Sequence, residues 1–589
     1  MKQKIKKYIT ILPLVVTLMF SSSCSNDFLD VADPTVLDTK IYPSSMAHFE
    51  LMINDIYGRL REGMYSQNFR TFALISKNND TGYNGAGFNE FCLNNLHAGH
   101  GELNNLWNNA YNAIAKCNDF LAKLDEFKAT SSLTAAQEAR TKTMVAEVRY
   151  LRAFNYFNLI NMFGEDPILT EADKSKMGVP LRTELPKTIK DAPMARSTQG
   201  EVYDFIISEL EAALPPLLGI GRINNQQPRV DEWTVKSLLA KSYVFTLQWN
   251  KAVPVLKDII DKSGKELVSY TILRSMYNTH NEFNRESIWE VNYTVDAQSS
   301  STSAGTGNFY NRYTSVTFRV GNSEVVNGYS NHFVHDENIP RFGFDDSKWG
   351  YLTTTLFPLS NPPNLNSGVV NADYKAYSLK VRQDKSVDPR LYVSAMQPFI
   401  DSINRNDGNG WCLILKGRQE SYVSSNMRSW ANRKYNVLDY VFSNSIGSGN
   451  NFYVFRLADI YLLYAESLIK SGGDQALALE YINKVHRRAY DQPVNTPSPY
   501  DYKSLTDRTA TLDPNDHLAN DVLKYERWAE LFMEGGWWFD VRRWDIGEQE
   551  VKYFKKTNPG TLVFNRKGFY AWPIPTAEMN ANSLMVQNP

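Results

Sequence analysis

Residues Glu526–Trp544 read ERWAELFMEGGWWFDVRRW, and what these side chains require of their surroundings decides the fold. Arg527, Glu530 and Glu534 recur three and four residues apart, the spacing that puts side chains on one face of a helix. Trp528, Leu531 and Phe532 follow the same rhythm on a neighbouring face. Gly535 and Gly536 then loosen the helix, since glycine costs about 1 kcal/mol there relative to alanine. Trp537, Trp538, Phe539 and Trp544 come next, interleaved with Asp540, Arg542 and Arg543. So much ring surface leaves water and takes the interleaved charges with it, and buried charges need partners. The stretch therefore predicts an Arg–carboxylate lattice that locks the C-terminal part of the chain into one arrangement. A catalytic role for Glu534 or Asp540 is the weaker reading, because structural ion-pair networks use the same residue types.

Working outward, helical periodicity dominates. Met46, Phe49, Ile53, Ile56 and Leu60 make Ser44–Leu60 an amphipathic helix. Leu103–Leu124 and Thr141–Phe163 are longer ones, the second stopped by Gly164 and Pro167. Gln199–Leu214, Asp231–Leu247 and Trp249–Asp261 follow. Phe455–Lys470 and Gln475–Tyr490 flank SGGD, where Gly472 and Gly473 suit a helix end and Asp474 the next N-cap. Ala458, Ala465, Ala478 and Ala489 let such a pair approach closely. Helix pairs of about 34 residues are the unit of tetratricopeptide-type solenoids. The fold class is mainly α: a degenerate tetratricopeptide-like helical-repeat scaffold with a loop-rich, irregular inserted subdomain.

The N-terminus carries a different message. Lys2, Lys4, Lys6 and Lys7 precede an apolar run from Tyr8 to Phe20, a secretory signal too short to span a bilayer. Ser21, Ser22 and Ser23 then lead into Cys24 in the manner of a bacterial lipobox; on that reading Cys24 becomes the lipidated first residue, the alternative being ordinary cleavage with Cys24 an incidental thiol. The expected organisation is a signal peptide over 1–23, a lipidated tether over 24–40 and an N-terminal helical region over 41–290. A loop-rich subdomain over 291–450 and a C-terminal helical region over 451–589 complete it. Cys92, Cys117 and Cys412 are odd in number and widely spaced, so no disulfide framework follows. The net charge of −1 and the lack of a basic stripe argue against nucleic acid as a partner.

Three motifs together resemble the SusD/RagB family of nutrient-binding outer-membrane lipoproteins. The pattern E-R-x-x-E-L-x-x-E-G-x-R-x-x-D-x-x-R-W is matched at Glu526, Arg527, Glu530, Leu531, Glu534, Gly535, Asp540, Arg543 and Trp544, with Trp537 in place of its Arg. The family's L-R-A-x-x-Y-F-x-L-x-x-x-F-G-x-x-P is matched from Leu151 to Pro167, and R-L-A-x-x-Y-L-x-x-A-E at Arg456–Glu466. The D-F-L-D that follows Cys24 is family-like as well. The resemblance implies four tetratricopeptide-like units cradling a less regular subdomain. It also implies a surface-exposed, lipid-anchored location in the cell outer membrane and a TonB-dependent, SusC-like transporter for which the protein acts as a hinged lid. Some family members bind calcium; this sequence shows no EF-hand loop and no cofactor is expected.

Binding residues belong on the interruptions, since loops on a rigid scaffold are where they usually sit. Met64–His100, a binding loop, is rich in Asn and Gly with scattered aromatic residues, and Asn292–Asn450 is rich in Ser, Gly, Asn, Thr and Tyr. Sugars offer flat C–H faces and a ring of hydroxyls, which exposed aromatic faces and planar hydrogen-bonding groups recognise. Arg70, Asp80, Tyr83 and Asn84 have that composition in the first segment; Tyr310, Tyr313 and Tyr329 have it in the second. Asn327-Gly328-Tyr329-Ser330 resembles the family's starch-binding N-G, aromatic and Ser, and Arg70 and Tyr310 likewise resemble ligand-contacting positions. For each tyrosine the plainer reading is packing beneath a loop.

The sequence favours binding over catalysis. It contains no G-x-S-x-G, H-E-x-x-H or Walker loop. His97-Ala98-Gly99-His100 lacks a second ligand pair at zinc-like spacing. With 64 Asp and Glu residues, no catalytic carboxylate pair can be singled out. The expected function is capture of an oligosaccharide for delivery to the transporter, not an enzymatic one. The alternatives are a secreted glycan-processing enzyme and a peptide-binding or scaffold member of the same fold.

Overall fold

The computed structural model describes residues 42–66, 69–81, 89–293, 372–404, 410–416, 430–436, 448–555 and 564–588, with parts of 307–346 and positions 408 and 562. Cys24, the signal segment and the tether lie outside the described residues.

The helical scaffold forms where periodicity places it, with ends set by local hydrogen bonding. Helix Ala135–Phe163 starts at Ala135 rather than Thr141 because Thr134 and Gln137 form a capping box, with Thr134 N donating to Gln137 Oε1 at 2.9 Å. Helix Gln199–Ala213 starts the same way from Thr198 and Glu201. Asp474 caps Gln475–Ala489 through Leu477 N at 2.9 Å, after Gly472 has turned the chain at φ 72°.

Helix Gly101–Thr130 packs on Ala135–Phe163, which in turn packs on Gln199–Ala213. Helices Glu232–Phe245 and Trp249–Lys262 make one hairpin, and Leu457–Lys470 with Gln475–Ala489 make another. Trp249–Lys262 packs directly against Leu457–Lys470, so two repeat-like pairs far apart in sequence are neighbours in the stack.

That adjacency is possible because the intervening chain leaves and returns at one place. Strand Ser287–Val291 pairs antiparallel with Phe452–Arg456, the second of which occupies the start of the expected Phe455–Lys470 helix. Between them, strands Ser323–Val326, Thr317–Val320, Trp411–Lys416 and Ser402–Asn404 form a four-stranded sheet in that order. One of its faces closes a small core of Val316, Phe318, Met396, Ile403, Cys412, Ile414 and Ala431.

The expected lattice is present. Helix Trp537–Arg543 is buried throughout, and helix Val522–Glu530 is buried apart from Lys524. Glu526 pairs with Arg390 at 2.6 Å, and Arg390 also holds Asp388 at 2.6 Å. Arg456 reaches Glu286 at 2.7 Å, Glu530 at 2.6 Å and Glu534 at 2.7 Å. Arg527 bridges Asp459 and Asp540, both at 2.9 Å; Arg543 bridges Asp540 and Glu466, whose carboxylate also accepts from Trp544 Nε1 at 2.7 Å. Trp537, standing where the family carries Arg, donates its indole N–H to Glu550 at 2.9 Å, and Arg341 holds the same carboxylate at 2.8 Å. One expectation is corrected: Glu534 does not share a helix with Glu530. The helix ends at Glu530, Met533 and Gly535 take φ of 66° and 76°, and Arg456 rejoins the two carboxylates from outside.

Candidate functional site

The segment expected to be a loop from 64 to 100 contains a buried helix, Phe69–Ile75, because FRTFALI carries enough apolar surface to enter the core. Phe69, Phe72, Ala73 and Leu74 have no exposed area. Phe69 stacks on Phe452 at 4.2 Å and meets Tyr310 edge-on at 5.5 Å. Past this helix the chain turns through Lys77 at φ 58° into strand Asn79–Thr81, which pairs antiparallel with His332–Val334.

Here the C-terminal Glu526–Trp544 stretch reaches the turn before Asp80. Ser76 Oγ accepts from Trp538 N at 3.1 Å and Asn78 Oδ1 accepts from Met533 N at 3.2 Å. Asn78 O accepts from His335 N at 3.0 Å, tying the same turn to the second interruption.

This clamp presents Asp80, directly opposite Phe333 in the strand pair. Its carboxylate is one-third exposed, and Oδ2 lies 4.0 Å from His335 Nε2. Tyr313, on helix Tyr310–Thr314, is half-buried and stacks on His332 at 5.8 Å and 24°. Lys77 lies beneath, only 6% exposed, its ammonium pushed below its ordinary pKa by burial against the opposing pull of Cys92 and Asp80.

The structure thus brings the segments that carry Asp80, Tyr313 and the backbone of Arg70 onto one strand pair, with Asp80 on its Phe333 face and Tyr313 against His332 on the other. Tyr310 is a correction: its ring has no exposed area, packs against Phe69, Tyr435 and Phe452, and its hydroxyl accepts from Asn79 Nδ2 at 3.4 Å. It fills the core instead of presenting a ring face to solvent, and burial holds its hydroxyl well above the usual range. Tyr83, Asn84 and Tyr329 lie outside the described residues, as does the side chain of Arg70. Gly328, between strand Ser323–Val326 and Tyr329, is exposed at φ 65°.

Other candidates resolve into structural roles. His100 caps helix Gly101–Thr130 by accepting from Glu102 N at 3.1 Å, and its ring meets Phe91 edge-on. Among the described residues no group of three or more His, Cys, Asp or Glu could hold a metal ion. A cleft of about 740 Å³ opens between helices Gly101–Thr130 and Ala135–Phe163, but aliphatic and charged side chains line it, without an aromatic one. A ring-lined hollow beside Tyr65, Phe154, Phe455 and Gly535 holds only about 50 Å³, far below the roughly 300 Å³ at which ligand pockets begin. Sequence reasoning missed Trp411, 73% exposed on a regular strand. The signal was there, in a tryptophan just after the glycines of NDGNGW.

The model described as "SusD family" matches residues 285–589, and the one described as "Starch-binding associating with outer membrane" matches residues 27–244. The chain belongs to the SusD family.

SusD-like protein P25 of Formosa agariphila is 24% identical over 489 residues, covering 82% of this chain and 78% of that protein. A SusD-like protein of Bacteroides fragilis has the same fold at TM-score 0.69 and 19% identity, over 94% of this chain and 98% of that one. Surface glycan-binding protein A of Bacteroides thetaiotaomicron aligns at TM-score 0.61 and 17% identity, over 92% and 98%. Among the described residues of this SusD-family protein, no helix is long and apolar enough to cross a membrane.

Proposed function

We propose that this SusD-family protein captures an oligosaccharide at the junction of the 69–81 and 310–335 segments and hands it, uncleaved, to a TonB-dependent transporter over which it acts as a lid. The observation that supports the reading is the strand pair Asn79–Thr81 and His332–Val334, which joins the two loop segments and leaves partly exposed Asp80 on one face and half-buried Tyr313 against His332 on the other. A carboxylate accepts from sugar hydroxyls and a phenol ring covers a C–H face, while the clamped turn keeps both from having to order on binding. Arg70, Tyr83, Asn84 and Tyr329 adjoin these residues in sequence and are proposed as further contacts. The names of relatives, which include a surface glycan-binding protein, support the ligand class. The lipobox-like Cys24 supports outer-membrane anchoring.

Asp80→Ala and Tyr313→Ala are each expected to weaken binding about tenfold or more, a loss of about 1.4 kcal/mol or more, with the melting temperature nearly unchanged. The measurement is titration calorimetry on whichever glycan the native protein retains from an array of α- and β-glucans and related polysaccharides. Native affinity in both variants, or shortening of the bound glycan during incubation, would end the reading. For the lid, Cys24→Ala is expected to move the protein from the membrane fraction to the soluble one and to abolish its co-purification with a large barrel protein from native membranes. Persistence of the variant in the membrane fraction would count against lipid anchoring.

A further inference from the structure

We propose that the outer face of the four-stranded sheet carries a second sugar platform, centred on Trp411, that engages a distant part of the same oligosaccharide. The proposal rests on the glycan reading above and deepens it, since it selects for chain length.

Side chains alternate across a strand. In Trp411–Lys416, Cys412 and Ile414 enter the small core, so Trp411 and Leu413 share the opposite face. Ile403 enters the same core from the neighbouring strand, which turns Ser402 and Asn404 outward. Asn404 stands directly opposite Trp411, and Ser402 opposite Leu413. On the other flank Phe318 points inward, which leaves half-buried Arg319 outward, its Nε donating to Gly321 O at 3.0 Å.

The result is a flat apolar strip, Trp411 and Leu413, bordered on both sides by side chains that donate and accept hydrogen bonds. A pyranose needs that combination, one C–H face on a ring and hydroxyls at its rim. A tryptophan 73% exposed on a regular strand leaves most of its ring face available to such a ligand.

Position sets the consequence. Lys416 pairs with Thr317, just after the helix that carries Tyr313. Trp411 lies five residues along that strand, roughly 17 Å away at about 3.3 Å per residue. A short ligand at Tyr313 does not reach Trp411, whereas a longer one spans both.

The test measures affinity against a length series, from the disaccharide upward, of the glycan that the native protein binds on an array. Trp411→Ala is expected to bind the shortest members as the native protein does and the longest about tenfold more weakly; Trp411→Phe, which keeps a ring, recovers most of the difference. The exposed position leaves the melting temperature unchanged, so folding does not confuse the result. Equal affinity of native protein and Trp411→Ala at every length overturns the platform alone. Loss at every length, short members included, overturns the second-site assignment. Failure of the native protein to bind any arrayed glycan overturns the underlying reading and this one with it.

Discussion

Arg456→Met is expected to lower the unfolding free energy by about 3–5 kcal/mol, the effect of stranding buried charge without a partner. Arg456 is 1% exposed and is held by three carboxylates, Glu286 at the start of the inserted chain and Glu530 and Glu534 from the C-terminal lattice. Burial by itself would raise the Glu534 pKa; the Arg456 charge, then Lys434, outweigh it and hold it below the ordinary range. Removing the guanidinium reverses that balance, and methionine, though similar in volume, offers no donor.

The pH dependence gives the test its sign. In the native protein Glu530, one of the carboxylates Arg456 holds, sits well below its ordinary range, because the charges of Arg488 and Arg456 outweigh desolvation. A depressed carboxylate contributes stability fully present above about pH 5 and lost as pH falls toward about 2. In Arg456→Met the stranded carboxylates instead favour the protonated folded state, so the deficit narrows as pH drops from 7 to 5. Denaturant unfolding of both proteins across that range is the measurement. A deficit under about 1 kcal/mol, or one independent of pH, would show that the lattice does not hold the fold in this way.

Gly535→Ala is expected to cost about 2–4 kcal/mol and to weaken glycan binding along with stability. Gly535 has φ 76°, where a Cβ is strained, and that Cβ would stand 2.8 Å from Phe69 Cε2. The ring cannot step aside: Phe69 is fully buried between Phe452, Tyr310 and Tyr435. Any shift of Phe69 moves the helix that carries Arg70 and leads to Asp80. Gly536, with φ −92° and nothing within 4 Å of its would-be Cβ, is the control; Gly536→Ala is expected to change stability by less than about 0.5 kcal/mol. Equal melting temperatures for the two variants would remove the steric account.

The helical frame was legible because a repeating apolar face is a local signal. Capping at Thr134, Thr198 and Asp474 involves residues three positions apart, so it too is written locally. Glu526–Trp544 announced that its charges would be buried and paired. It did not name the partners: Arg390, Arg456 and Asp459 arrive from elsewhere in the chain.

The site divides along the same line. Composition singled out Asp80, Tyr310 and Tyr313 together, but it could not separate a ring that faces solvent from one that fills the core. That depends on Phe69, Tyr435 and Phe452 converging on Tyr310, a contact among four segments. Trp411 escaped notice for the converse reason, since its exposure follows from which sheet face Cys412 and Ile414 occupy. By itself the sequence determined the scaffold, the need for a charge lattice and the kind of chemistry to look for, because those are properties of neighbours along the chain. Only the tertiary structure decided which rings are offered outward and which carboxylate meets which arginine, because burial and pairing belong to distant segments brought together.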